Sequence, residues 1–369
     1  MASATPVIPA GGEFRNAMNP MVGTTIPDLP LLPPLDARIP KWSLNDCAPR
    51  KCPLCRKDNE SLLLRPDRLP VAHCTDCHLW YVSRLPPHDE ILKFYQGYWS
   101  SFRPKDLSRR YATSLLSGKD PLRGDMRLNR LSVLAGGLEG KRLLEVGCGA
   151  GELLVAARHR GATVFANDVS NEACAFVGEE LGIPVFQGEI SDSRFTHQFG
   201  QMDMIVMSDL IEHPVEPLVA LEAALNILRP GGLLLLLTPN GSAAGDNLHT
   251  ATRWVGFRVD LEHLQYLSTG TISVLAGRYC CQIEHLETLG YPGLDGIDRP
   301  PAPVGSANRS LKGTIKSQLK KSKIAVKLVL ALRAAVATAK EAGELPGAVS
   351  LPQDPRCGDY HLVTVLRKK

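Results

Sequence analysis

The sequence predicts an α/β protein, an open and mostly parallel sheet with helices on both faces, preceded by a small cysteine-bearing module. Three observations support this. From Lys141 onward, apolar strand-like runs alternate with amphipathic helical runs. The first of those strands closes on a glycine loop of the form E-x-G-x-G-x-G. Upstream, two C-x-x-C pairs stand 18 residues apart in CPLCRKDNESLLLRPDRLPVAHCTDC, residues 52–77.

The elements follow in order. Residues 1–45 are rich in Pro, Gly and Ala and are expected to form a disordered or draped arm. The cysteine module occupies 46–87 and ends at Pro86 and Pro87. Residues 88–140 show helical spacing in ILKFYQGYW and MRLNRLSVL, as a helical linker or cap. The core spans 141–290. In it KRLLEVGC is a strand, ELLVAARHRG a helix stopped by Gly161, ATVFAND a strand, NEACAFVGEELG a helix, and IPVFQGEI and MDMIVMSD further strands. In VEPLVALEAALNILRPGG, Leu218, Leu221, Leu225 and Leu228 share a helical face, with Pro230 and Gly231 as the stop. LLLLLTPN is a buried strand, and TISVLAGRYCCQIEHLETLG gives one more helix and strand. Residues 291–350 hold a Pro/Gly linker and a basic helical insertion, and 351–369 end in a strand, YHLVTVLRKK, that returns to the core sheet.

Bulk properties narrow the function classes. A chain of 369 residues can bury a sizeable core in two or three domains. The net charge of +4 is too small to argue for a nucleic-acid partner. The ten cysteines form no disulfide-like framework, which fits a reducing compartment. The N-terminus lacks a basic region followed by an apolar one, and the longest apolar run, 233–237 with its flanks, is too short to span a bilayer. The expected setting is the cytoplasm.

The loop LLEVGCGAGELL places Glu145, Gly147, Gly149 and Gly151 between a strand and a helix. Glycines there let backbone approach a ligand, and the helix start offers free N–H groups. Asp168, ending the next strand, can take both hydroxyls of a ribose. A dinucleotide site would want a third glycine where Glu152 stands, and that charge would face a pyrophosphate. S-adenosylmethionine carries no phosphate, so this loop favours it over NAD.

This stretch resembles motif I of class I S-adenosylmethionine-dependent methyltransferases, and the resemblance continues over residues 125–290. It implies a Rossmann-like, seven-stranded, mostly parallel sheet. RLNRLSVLAGGLEGKRLLE is similar to ubiquinone-biosynthesis O-methyltransferases, with a broader likeness to enzymes acting on small molecules and sugars. The resemblance implies that Arg127 meets the cofactor carboxylate, and that in VFQGEI the Glu189 carboxylate and the Ile190 N–H meet the adenine. The implied reaction is methyl transfer to a hydroxyl or carbon of a sugar, a phenol or a quinone-like small molecule. The alternative is an RNA methyltransferase that binds RNA through its cysteine module. The sequence leaves the oligomeric state open.

Asp209, Glu212 and His213 are spaced i, i+3, i+4, so a helical turn would place them on one face, and His263 follows in a later loop. The set resembles the E-x-x-E-H motif with a distant His that binds a divalent cation, such as Mg, in some ubiquinone and small-RNA methyltransferases. Asp209 replaces the first Glu. His213 is also a candidate catalytic base. In metal-free relatives an E-H pair lines the cofactor pocket instead, and all three readings stand.

Cys52, Cys55, Cys74 and Cys77 fit a tetrahedral zinc site, and a closed four-sulfur shell is structural rather than catalytic. Cys47, His73 and His78 are spare donors, and His78 stands where such knuckles often have Gly. The expectation is an N-terminal zinc ribbon bracing the helices that carry Tyr95, Tyr98 and Arg127. Its basic residues are partly offset by Asp58, Glu60, Asp67 and Asp76, and no aromatic platform interleaves them. In 309–340, Lys316, Lys320, Lys323 and Lys327 share a face. Peripheral contact with an anionic membrane, contact with a phosphorylated substrate, and packing on the chain's own domain are the readings of that helix.

Overall fold

The computed structural model describes residues 29–34, 39–101, 125–259, 261–289 and 359–369. The linker and basic helix expected over 291–350 lie outside the described residues. Among the described residues no helix is long and apolar enough to cross a membrane.

The N-terminal module comprises β1 (Ala48–Pro49), β2 (Ser61–Leu64), β3 (Pro70–His73), β4 (Trp80–Val82) and β5 (Arg84–Leu85). Helices α1 (His88–Ser101) and α2 (Met126–Ala135) lead into the core. There β6 (Arg142–Val146), α3 (Glu152–His159), β7 (Thr163–Asp168) and α4 (Asn171–Ala175) precede a π-turn over Phe176–Glu180. Then come β8 (Val185–Gln187), α5 (Ser193–Phe199), β9 (Met202–Ser208), α6 (Pro217–Ile227) and β10 (Leu228–Pro239). The chain continues through α7 (Leu248–Ala251), β11 (Gln265–Tyr266), α8 (Thr269–Arg278), β12 (Cys281–Leu289) and β13 (His361–Lys368).

The core sheet has seven strands in the order β12-β13-β10-β9-β6-β7-β8. All neighbours pair in parallel except β13, which runs antiparallel to both β10 and β12. The leucine run of β10 shows why the sheet is buried on both faces. Leu234 and Leu236 enter the apolar cluster that holds α6 and α8, while Leu233, Leu235 and Leu237 enter the one that holds α2 and α3. The α6 helix ends at Ile227, and Leu228 already pairs with Met202 of β9, so the strand begins before Pro230 and Gly231. Helix α2 is part of the core rather than a linker, because Leu128 and Leu131 are fully buried among the sheet residues.

The module is not a separate bead. Its β2-β3-β4 sheet gains a fourth strand, β11, from the core segment. Cys52, Leu54, Leu79 and Tyr81 share one apolar cluster with Ile211, Leu221, Leu267 and Leu275. The stretch expected to be a disordered arm is corrected in part. Leu32 N–H donates to Leu64 O and Leu64 N–H to Pro30 O, and Leu32 is buried beside Leu63, Trp80 and Phe257. An apolar niche and two backbone bonds hold that short run in place.

Candidate active site

The sheet order reverses between β6 and β9, and a cavity of about 640 Å³ opens at the carboxyl ends of these strands. The glycine loop floors it. Gly147, Gly149 and Gly151 all take positive φ, at 70°, 53° and 70°. A Cβ at Gly147 would stand 2.9 Å from Leu210 Cδ1, so a side chain there would have to displace that methyl and also adopt a left-handed backbone that favours glycine. The amides of Gly147 and Cys148 donate to Asn167 O at 2.8 and 3.1 Å. Asp168 accepts from the Gly149 N–H at 2.9 Å and the Ser170 N–H at 2.8 Å, one to each carboxylate oxygen.

Glu145, the penultimate residue of β6, lines the cavity. Its Oε2 is buried without a hydrogen-bond partner. Burial pushes its carboxyl up to about 8, although the Arg127 guanidinium stands 3.9 Å away. Desolvation therefore outweighs that charge, and the neutral acid is the resting form at pH 7. Arg127 spends its Nε and Nη2 on Asp125, the N-cap of α2, at 3.0 and 2.6 Å. Burial opposes its charge, but Asp125, Glu145 and Asp209 together raise its pKa. Its Nη1 is directed toward Glu145. Farther along, Asn167 Nδ2 donates to Phe186 O and Gly188 O at 3.1 and 2.8 Å, holding the loop that carries exposed Glu189 and buried Ile190. An orphaned buried acceptor, a pinned carboxylate and a glycine cradle suit the amino group, ribose and backbone approach of S-adenosylmethionine.

Opposite the loop, Glu212, His213 and His263 converge, with one ligand atom from each within 4.8 Å of the others. Asp209 is not among them, which corrects the expected four-residue set. The helical spacing that would have joined it fails because residues 211–216 form turns, and His213 precedes Pro214, a position that disfavours helix. Asp209 takes φ +48° and donates its N–H to Leu237 O at 2.8 Å. Glu212 is fully buried and accepts from Thr238 Oγ1 at 2.9 Å.

Tyr95, on α1, bridges to this group. Its hydroxyl lies 2.7 Å from His213 Nδ1 and donates to Glu262 O at 2.9 Å. A phenol has one proton, and a carbonyl can only accept. In the neutral ring, Nδ1–H of His213 therefore donates to Tyr95 Oη, and Nε2 is the basic nitrogen. Composition could not reveal this role; Tyr95 shows in the sequence only as one aromatic in a helix.

Cys52, Cys55, Cys74 and Cys77 also meet, with Sγ···Sγ separations of 3.2–3.6 Å. A tetrahedron with zinc–sulfur bonds of about 2.3 Å has edges of about 3.8 Å, so the donor set suits zinc. The two knuckles are built alike. Arg56 N–H donates to Cys52 O and His78 N–H to Cys74 O, at 2.9 and 2.8 Å. Arg56 and His78 both take the left-handed conformation, at φ 61° and 56°, so His78 accepts the turn that glycine would have eased.

The brace expected on Arg127 falls elsewhere. Arg127 is held by Asp125, whereas the module grips residues 211–216 and 261–266. The Tyr98 side chain lies outside what the structure describes.

Comparison with known proteins adds a family. Residues 121–286 match a family model described as a methyltransferase domain. The ubiquinone biosynthesis O-methyltransferase of Bordetella avium is 32% identical over 119 residues, 31% of this chain and 49% of that protein. Its namesake from Escherichia coli O9:H4 is 30% identical over 154 residues, 40% of this chain and 61% of that protein. The chain thus spans about half to three-fifths of the length of these curated relatives. A SAM-dependent methyltransferase structure from Archaeoglobus fulgidus overlays at a TM-score of 0.39 and 14% identity, over 69% of this chain and 99% of that one, too loosely to bear on function. The matched span starts just ahead of α2, runs into β12 and encloses the glycine loop, so residues 121–286 carry a methyltransferase domain.

Proposed function

We propose that the chain transfers the methyl group of S-adenosylmethionine to a hydroxyl of a small-molecule acceptor, of the phenol, quinone-like or sugar class. The observation that carries this reading is one cavity with two chemistries: Glu145 and Asp168 on the glycine-loop side, the Tyr95–His213 pair on the other. When bound, the cofactor supplies an activated methyl. Arg127 would meet its carboxylate, Glu145 its amino group, Asp168 its ribose, and Glu189 and Ile190 its adenine. His213 Nε2 would take the acceptor proton, with Tyr95 fixing the tautomer. A divalent cation on Glu212, His213 and His263 would serve the same end by lowering the acceptor's proton affinity. Four thiolates would hold zinc in a closed shell, folding the module rather than reacting.

The module's charges support a small acceptor over RNA. Lys51 pairs with Asp58, Arg56 with Glu216, and Lys57 with Asp76. Arg65 is buried against Asp67, and Arg50 donates to protein acceptors. Five of the module's cations are thus engaged within the protein. Lys51, Arg56 and Lys57 are exposed, but the carboxylate beside each offsets the positive field that a phosphate backbone would need.

The test is methyl transfer from labelled S-adenosylmethionine into fractionated cell extract and into catechol as a defined phenolic probe. Label confined to RNA would overturn the reading. Stripping with EDTA and restoring magnesium or manganese decides the metal: unchanged turnover leaves His213 alone as the base.

A further inference from the structure

Four consecutive carbonyls near the active site are each captured by a side chain from the N-terminal part of the chain. Arg65 Nη2 donates to Leu261 O at 2.5 Å, and its Nη1 donates to His263 O. Tyr95 Oη donates to Glu262 O at 2.9 Å. Arg50 Nη1 donates to Leu264 O at 3.1 Å. Residues 261–264 form no helix or strand of their own, so these donors decide their path.

The second loop is tied to the same fittings. Arg50 Nη2 donates to Val215 O at 2.5 Å and to Gln265 Oε1 at 2.9 Å. Gln265 Nε2 donates to Ile211 O at 2.8 Å and Pro214 O at 2.9 Å. Leu264 N–H donates to Glu212 O at 2.8 Å.

Arg65 is the centre of this arrangement. It is fully buried, a costly place for a cation unless its donors are used. Nε and Nη2 bond the two oxygens of Asp67, Nη2 also bonds Leu261 O, and Nη1 bonds His263 O and Tyr266 Oη. Every N–H of the guanidinium is thereby committed.

We propose that the cysteine module is a working part of the active site, with Arg65 and Arg50 as positioning residues that hold the loops bearing Glu212, His213 and His263 in register. The kinetic side of this proposal rests on the pocket being a methyl-transfer site; the structural side does not. The module therefore governs turnover, while cofactor binding stays with the glycine loop. Lysine cannot replace Arg65, because an ammonium has three donors and no planar fork.

The experiment uses the full chain, zinc-loaded, with Arg65→Lys and the milder Arg50→Lys. Hydrogen–deuterium exchange should speed up at least tenfold in 211–216 and 261–266 and stay unchanged in 145–152. Zinc content should hold, and the Kd for S-adenosylmethionine should move less than twofold. With catechol as acceptor, kcat should fall at least tenfold while KM for the cofactor holds. Unchanged exchange in both loops overturns the proposal. So does a loss of cofactor affinity in parallel with kcat, which would mean general unfolding. A wild-type chain that methylates no acceptor sinks the methyl-transfer reading, and the exchange data still decide the positioning role.

Discussion

Replacing Glu145 by Gln should strengthen the fold and weaken the cofactor site together. The folded chain holds this carboxyl at about 8 against an ordinary 4.5, so at pH 7 it is neutral when folded and ionised when unfolded. Its contribution to stability is full below 4.5 and is lost as the pH rises through about 8. At about 1.4 kcal/mol per pH unit, the loss already reaches about 3 kcal/mol at pH 7. Glutamine copies the neutral acid and escapes that loss. Chemical denaturation at pH 7 should find E145Q more stable by up to about 3 kcal/mol, with a wider gap at pH 9. The variant also lacks the anion that the cofactor's ammonium would meet, an interaction of about 1.5–3 kcal/mol. Calorimetry should therefore show S-adenosylmethionine binding roughly tenfold to a hundredfold more weakly. Wild-type binding should release a proton near neutral pH, visible as heats that vary with the buffer, and the variant should show no such release. An E145Q that is less stable than wild type, or binds equally well, refutes this account of Glu145.

Four further outcomes are expected. Tyr95→Phe frees the His213 tautomer and the Glu262 carbonyl, and should cut kcat about tenfold or more with an unchanged cofactor Kd, comparing steady-state kinetics with calorimetry. Asp168→Ala leaves the Gly149 and Ser170 amides without their acceptor; denaturation should show a loss of about 1–3 kcal/mol, and cofactor binding should fall too. Gly147→Ala puts a Cβ into Leu210 at a positive φ, and should lower the melting temperature by the equivalent of about 1–3 kcal/mol. Cys74→Ser should abolish stoichiometric zinc, measured by metal analysis, and loosen exchange in residues 211–216 and 261–266.

The parallel core was legible because its strands are apolar, short and punctuated by glycine. Helix α6 was legible too, from leucines at helical spacing. The β11 strand was not. It has two residues, Gln265 and Tyr266, and exists only because β4 offers an edge. Its pattern in sequence is indistinguishable from loop, since tertiary contact supplies the whole signal. The glycine loop and the cysteine pairs were legible because their chemistry is local. Asp209 was misjudged by trusting an i, i+3, i+4 spacing over the proline at 214. The roles of Arg65 and Arg50 were illegible for a different reason: their acceptors are carbonyls about two hundred residues away in sequence, and a carbonyl leaves no residue-type signature.

The position of β13 has a consequence for how the protein is made. The strand lies between β10 and β12, with Leu362, Val363, Val365 and Leu366 buried, yet it follows both in the chain. Until the ribosome has passed Lys368, the nascent β10 carries an unpaired leucine-rich edge. At about 5–20 residues per second, translating residues 290–368 takes on the order of ten seconds. Throughout that interval the nascent sheet is a template for wrong pairing with neighbouring chains. Overexpression that crowds polysomes should therefore favour inclusion bodies, and slower synthesis with a holdase chaperone should recover soluble enzyme.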